Sequence, residues 1–385
     1  MNVTVAAGAA RFHNERHGRV PEATSFAPGR VNLLGGPDYN EVFVLPFALG
    51  AGVGVAASRR PDRRVAVASR QEDGEPVRLD IDALEPGSVT GWAAYPAGVA
   101  WALREAGYLP GGADLAIDAD LPAGAGLSSS AALECAVALA LTGLYDVPVP
   151  PRELAALARR AETEYAGLPT GIMDQLAALL GQPGHALLLD CRTGTETAVP
   201  LDPAAAGLAL LVIDTRVRHA VGDGQYGSRR QACEQAAAAL GVRSLRDVID
   251  DPEAPARLTD LGLRTVAEHV ISEHGRVRRA AEALRAGDLA ALGDLLTASH
   301  RSLSYRFLMS WPQADAAVEA AVDSGALGAR MTGGGFGGSV VALLPAGRDE
   351  AVRAAVNRRF AQHGWPGPHY LPAVPSGGGY RVSAS

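Results

Sequence analysis

Three stretches of this 385-residue chain hold residues whose types and spacing could do chemistry. Residues 121–133 read LPAGAGLSSSAAL. Gly124 and Gly126 let the backbone approach a ligand closely and take positive φ at little cost. Ser128, Ser129 and Ser130 follow Leu127 where a helix N-cap belongs, ahead of an apolar run that reaches Leu141. A glycine turn feeding a helix N-terminus presents free N–H groups and the positive end of the helix dipole. That is an anion site, and the usual anion is a phosphate. An isolated cluster of this kind is more often an ordinary capped loop. The second stretch is Pro28-Gly29-Arg30, with Asp38 shortly after it, and the third is MTGGGFGG at 331–338. Each alone is a modest signal, but all three in this order are hard to obtain by accident.

The bulk of the chain sets the frame for them. A hydrophobic content of 48% with 20% charged residues describes a soluble globular protein, and the length suits two domains sharing an interface. All 35 basic residues are arginine, which argues against a P-loop nucleotide site, whose motif needs a lysine. A net charge of −7 argues against nucleic acid as the main partner. Cys135, Cys191 and Cys233 form no metal-binding spacing, and their odd number suits a reduced compartment. The N-terminal residues lack the apolar core of a signal peptide, and no stretch is apolar for long enough to span a membrane. The expectation is a cytoplasmic protein, monomeric or homodimeric, with no membrane partner.

The elements that must position the three stretches follow from pattern. Residues 1–25 begin with a helix, and 25–51 read as strand, loop, strand around GGPDYN. Alternating segments between 51 and 81 predict further strands, and 92–107 has helical spacing. A strand over 113–121 runs into the glycine–serine loop, and a helix over 131–143 leaves it. Helices are expected over 152–164 and from about Thr170, and short buried strands over 186–190 and 208–214. From 227 to about 304 the pattern is helical, and 312–325 and 350–363 give two more helices. The glycines at 331–338 form a turn leading into a strand. The fold class is α+β, with a strand-rich first half, a helix-rich second half, and a ligand cleft between them.

With these stretches placed, the chain resembles the GHMP family of small-molecule kinases, and within it the galactokinases. The matching stretches are APGRVNLLG, GLSSSAALE, GIMDQ, HALLLDCR, RVRHAVGDGQYGSRRQACE, SHRSL and GARMTGGGFGG, which run from about Phe26 to the C-terminus. The resemblance implies a two-domain fold: a ribosomal-protein-S5-like domain over 1–190 and a ferredoxin-like α/β domain with added helices over 191–385. It implies ATP and Mg²⁺ as cofactors and a small sugar as substrate. By position, Gly124, Gly126, Leu127, Ser128, Ser129 and Ser130 would wrap the nucleotide phosphates. Ser130 and Glu162 would hold Mg²⁺, a hard cation suited to a hydroxyl and a carboxylate, with Glu164 a close competitor. Asp174 falls on the catalytic aspartate, and Arg30 on the arginine that flanks it and can stabilise charge on the transferred phosphoryl group. Asp38, Gly171 and Tyr226 match sugar contacts. Gly334 and Gly335 would line the site. Trp92, with Tyr95, matches the region that packs near adenine, although plain core packing rivals that role. Arg218 matches an active-site arginine and equally reads as a surface ion pair.

Two departures bear on the substrate. The usual Gly-Glu-His-Thr-Asp-Tyr-Asn motif is here Gly35-Gly36-Pro37-Asp38-Tyr39-Asn40, one residue shorter and without Glu or His. After SHRSL, two acids of the family are replaced by Tyr305 and Arg306. Both changes remove carboxylates from the sugar end. They raise the expectation of a sugar 1-kinase for a modified or C6-extended substrate. Gly36 would open room in such a site, and Arg306 would meet a terminal phosphate or carboxylate. The alternatives are an ordinary galactokinase with a divergent sugar loop and a catalytically silent sugar- and ATP-sensing regulator. The presence of Ser128, Glu162 and Asp174 weighs against the last.

Overall fold

The computed structural model describes residues 3–218 and 224–382; part of RVRHAVGDGQYGSRRQACE, at 219–223, lies outside the described residues. The chain opens with α1 (Val3–His17) and two long strands, β1 (Ala23–Gly35) and β2 (Phe43–Arg60). The short strands β3 (Arg64–Ser69) and β4 (Val77–Asp80) follow, then α2 (Ala94–Glu105) and β5 (Gly112–Ala119). Next come α3 (Ser129–Leu144), α4 (Pro151–Arg160), α5 (Met173–Leu180), β6 (His185–Asp190) and β7 (Thr195–Pro200). The second half contains β8 (Leu208–Asp214), α6 (Gln225–Ala239), α7 (Leu261–Ala286), α8 (Leu289–Tyr305) and α9 (Pro312–Asp323). It ends with β9 (Gly328–Thr332), β10 (Ser339–Pro345), α10 (Asp349–Gln362), β11 (His369–Pro372) and β12 (Tyr380–Val382).

Among the described residues the strands form an eight-stranded and a four-stranded sheet. The first runs β12-β1-β2-β5-β3-β4, with β6 joining β2 and β7 joining β6. Its pairs are antiparallel except β3 with β5. The second runs β11-β8-β10-β9. The chain therefore crosses back over the expected boundary at 190: β7 and β12 come after it and pair into the first sheet. Helix α3 is apolar nearly all round and buried along its length, as a helix packed on every side must be. One apolar core lies between the first sheet and α2 to α5, and it continues through Val277 of α7 to Val212 and Val341 of the second sheet. A second core sits between the four-stranded sheet and helices α6 to α10. No described helix is long and apolar enough to cross a membrane.

Two local differences from the pattern reading matter below. The helix expected over 152–164 changes character at its end, where Ala161–Tyr165 forms a π-helical turn. The glycines at 331–338 connect two neighbouring antiparallel strands, β9 and β10. Phe47, on β2, is fully buried in the first core. Phe47→Ala should cost about 3–5 kcal/mol, read as a lower denaturant midpoint with an unchanged slope.

Candidate active site

The centre of the cleft is an arginine–aspartate pair. Arg30 lies on β1 and is 4% exposed. Its Nε donates to Asp174 Oδ1 at 2.8 Å and its Nη2 to Asp174 Oδ2 at 2.9 Å, a two-pronged pair. Its Nη1 donates to the Gly126 carbonyl at 2.8 Å, and its backbone N–H to the Leu127 carbonyl at 3.0 Å. One side chain thus ties β1, the first turn of α5 and the glycine–serine loop together.

The serines do not cap α3 through their hydroxyls. Ser128 stands at the N-cap in the left-handed region (φ 59°) with no side-chain cap bond. Its Oγ donates instead to Asp174 Oδ2. Ser130 Oγ donates to Glu162 Oε1 at 2.7 Å. The N-terminus of α3 is thus free of side-chain caps, and its residues Ser128, Ser129 and Ser130 line the cleft, a setting that suits an anion. Gly126 and Gly333 both have positive φ, and a methyl on Gly333 would sit 2.8 Å from the Gly126 Cα. The second glycine stretch thus presses backbone against the first loop, a contact only glycine permits. Ser339 Oγ, bonded to the Ala125 carbonyl at 2.7 Å, closes the same junction.

Glu162 sits on the π-helical turn and is buried, whereas Glu164 is exposed and pairs with Arg160 at 3.1 Å. Of the two carboxylates, Glu162 lines the cleft and Glu164 faces solvent. Glu162 Oε2 accepts from Thr170 Oγ1 at 2.9 Å and from Gln175 Nε2 at 2.8 Å. Gln175 Nε2 also donates to buried Glu134 at 3.1 Å. Burial, then the charge of Asp174, raises Glu162 above the usual carboxylate range. Burial, then Glu162, raises Glu134 well above it. A hydroxyl and a buried carboxylate converging at the phosphate end fit a hard divalent cation that completes its shell with phosphate oxygens and water. Among the described residues no group of three or more His, Cys, Asp or Glu could hold a metal ion by itself.

Asp38 lines the same cleft near Asp174. It follows the bulged end of β1 and accepts the Met173 N–H at 3.2 Å. A methyl on Gly171 would overlap the Asp38 carboxylate and displace it. Half-buried by surface yet ringed by protein atoms, Asp38 is raised to about 6, first by burial and then by the negative charge of Asp174. Tyr226 meets Tyr39 edge-on at 5.5 Å between ring centres and faces the same wall. The cleft between these walls opens to solvent.

Of the expected residues, Arg30, Gly36, Asp38, Gly124, Gly126, Ser128, Ser129, Ser130, Glu162, Gly171, Asp174, Tyr226 and Gly334 line this cleft. Four do not. Leu127 is a buried core residue that offers only its carbonyl, because its side chain completes the apolar packing. Trp92 packs against the core, and Tyr95 takes the place at the wall. Gly335 is taken up by packing against Met309. Arg306 is exposed in a separate groove beside Arg279 on α7, because the end of α8 turns it away from the cleft. Arg218 forms a bidentate ion pair with Asp214 at 2.7 and 2.8 Å, beside Gly124. Pattern reading missed Asn32, Thr170, Met309 and Arg330, which also line the cleft. Arg330 stood within GARMTGGGFGG and Thr170 next to GIMDQ, but neither spacing indicated a role.

A glycine–serine loop at a helix N-terminus, a buried carboxylate and an arginine-held aspartate meet in one cleft between two α+β halves. Models of the GHMP kinases N-terminal domain and C-terminal region match residues 94–182 and 280–362, and a galactokinase galactose-binding signature matches 11–59. A protein of Streptomyces coelicolor named galactokinase is 47% identical over 99% of this chain and 100% of its own length. One of Mycobacterium tuberculosis with the same name is 46% identical over 89% of this chain and 94% of its own. The crystal structure of Lactococcus lactis galactokinase complexed with galactose superposes with a TM-score of 0.92 at 31% identity, covering 98% of this chain and 100% of that one. The chain belongs to the galactokinases of the GHMP kinase family and is an ATP-dependent sugar kinase.

In a carboxyl-¹³C NMR titration the Asp38 midpoint should fall at about 6. Asp174→Asn should move it toward the ordinary aspartate value, since it removes a like charge. A midpoint unmoved by that substitution would contradict the coupling.

Proposed function

We propose that this protein transfers the γ-phosphoryl group of ATP to the anomeric hydroxyl of galactose. The observation that carries this reading is the position of Asp174, held by Arg30 and Ser128 between the phosphate loop and the Asp38–Gly171 pocket. In this reading Asp174 accepts or orients the proton of the attacking hydroxyl. Arg30 fixes the carboxylate and lies where charge develops on the transferred group. The N–H groups opening α3 bind phosphate oxygens. Asp38 accepts from ring hydroxyls, and Tyr226 with Gly171 shapes the pocket around them. Ser130 and Glu162 would hold Mg²⁺, which supplies neutralising charge to the phosphates. Phosphoryl transfer is governed mostly by positioning and electrostatics, so this short set of groups is chemically sufficient.

The expectation of a modified or C6-extended sugar rested on the shortened loop and on Arg306. Arg306 lies outside the cleft. The galactose-binding signature still matches 11–59 despite the missing Glu and His, and relatives at 46–47% identity are named galactokinase. These findings favour ordinary galactose and a divergent loop.

A steady-state panel of hexoses, C6-extended sugars and sugar phosphates should give galactose the highest kcat/KM, with ³¹P NMR placing the phosphate on the C1 oxygen. A higher value for an extended sugar would restore that substrate, and ATP binding without turnover on every sugar would leave a sensor. Asp174→Asn should lower kcat by about 10³-fold while the ATP dissociation constant stays within about twofold. Substantial turnover by this variant would remove Asp174 from the chemistry.

A further inference from the structure

The loop that carries Asp38 is fastened from outside its own sheet. The β1–β2 register shifts between Asn32 and Gly35, so the ladder no longer pairs the backbone there. Buried backbone groups released in this way need other partners. Gly35, which faces Val44 where the ladder resumes, has its N–H and carbonyl bound by one ionic cluster of the C-terminal half, and its carbonyl also accepts from Asn32 Nδ2 at 3.0 Å. Its N–H donates to Glu273 Oε1 on α7 at 3.0 Å, and its carbonyl accepts from Arg330 Nη2 on β9 at 2.9 Å. Arg330 Nη1 donates to the Asn32 carbonyl at 3.1 Å. Ser299 on α8 joins the two charges, donating to Glu273 Oε1 at 2.6 Å and accepting from Arg330 Nε at 2.8 Å. Arg276 Nε donates to the second Glu273 oxygen at 2.6 Å.

Glu273 and Arg330 are 1% and 4% exposed. A buried ionic cluster is a poor way to gain stability, because desolvation offsets the attraction and apolar replacements often do as well. Its geometry is specific, however. Three helices and strands of one half converge on two residues of the other, immediately before Gly36 and Asp38 at the cleft wall.

We propose that Glu273, Ser299 and Arg330 form a positioning clamp that sets the Gly35–Asp38 loop against the sugar. Sugar affinity then depends on this cluster, while the glycine–serine loop is held separately, by Arg30 and by its own contacts with Gly333 and Ser339. The proposal rests on the sugar-kinase reading of the cleft. It makes these three positioning residues; Asp38 remains the group that meets the substrate.

The test compares wild-type protein with Arg330→Lys, Glu273→Gln and Ser299→Ala, using galactose and MgATP. Sugar KM, ATP KM, kcat and the melting temperature are measured for each. Arg330→Lys keeps the charge and loses the fork. It should raise the sugar KM by about tenfold, with ATP KM within about twofold and kcat within about threefold. Glu273→Gln retains an acceptor for the Gly35 N–H and should be milder than Glu273→Ala. Ser299→Ala removes a single hydroxyl and should raise the sugar KM by about threefold. If Arg330→Lys fails to fold, Ser299→Ala decides. Folded variants whose sugar KM is unchanged, or rises in step with the ATP KM, overturn the clamp. Wild-type protein that turns over no sugar overturns the clamp together with the proposed function, whereas normal wild-type turnover with unmoved variants overturns the clamp alone.

Discussion

The buried pairing of Arg30 with Asp174 is the interaction on which the rest of this structure depends. A guanidinium that is 4% exposed must spend its donors on fixed acceptors, and Arg30 spends them on a carboxylate of α5 and a carbonyl of the glycine–serine loop. Three segments far apart in the chain are thereby held at hydrogen-bond distance. Ser128 can then leave its capping role and turn to Asp174, because the loop below it is already anchored.

Around that pair the site gathers carboxylates. Asp38, Glu162 and Glu134 all bear charge less readily than an exposed acid, each through burial first and a neighbouring negative charge second. Such crowding is unfavourable in the empty protein and would be relieved by a cation and by hydroxyl donors. In the proposed reading the same property would suit the site to a magnesium-bound triphosphate and a polyhydroxylated substrate. The glycines serve another need. Gly126 against Gly333 lets two loops from different halves of the chain touch backbone to backbone, so the phosphate end is walled from both sides.

Much of the fold was legible in advance. Apolar alternation marked β5, and the helix after the serines begins and ends within about two residues of its expected bounds, the ordinary uncertainty of helix termini. The π-helical turn at 161–165 was not legible, since its residues have an ordinary helical pattern. Glu162 is buried there and Glu164 exposed, the opposite facing expected of residues two apart, about 200° around a helix. Trp92 and Tyr95 were likewise inseparable by pattern, and the start of α2 places only the tyrosine on the cleft.

Order along the chain was enough to mark the glycine–serine loop ahead of a helix and the α+β class, while the pairing of Arg30 with Asp174 followed only from the resemblance to the galactokinases. The loop and the class depend on local backbone needs: glycine where φ is positive, small residues where a ligand approaches, and a regular apolar period beneath. Contact across the chain was needed for the rest. Glu273, in the middle of a helix rich in charge, reads as a solvated residue, yet it is buried beneath the sugar loop because α7 packs across the end of β1. Arg306 reads as a neighbour of the substrate, yet the end of α8 turns it into another groove. A charged side chain looks the same in sequence whether it faces water or a buried partner, and only the packing of distant elements determines which.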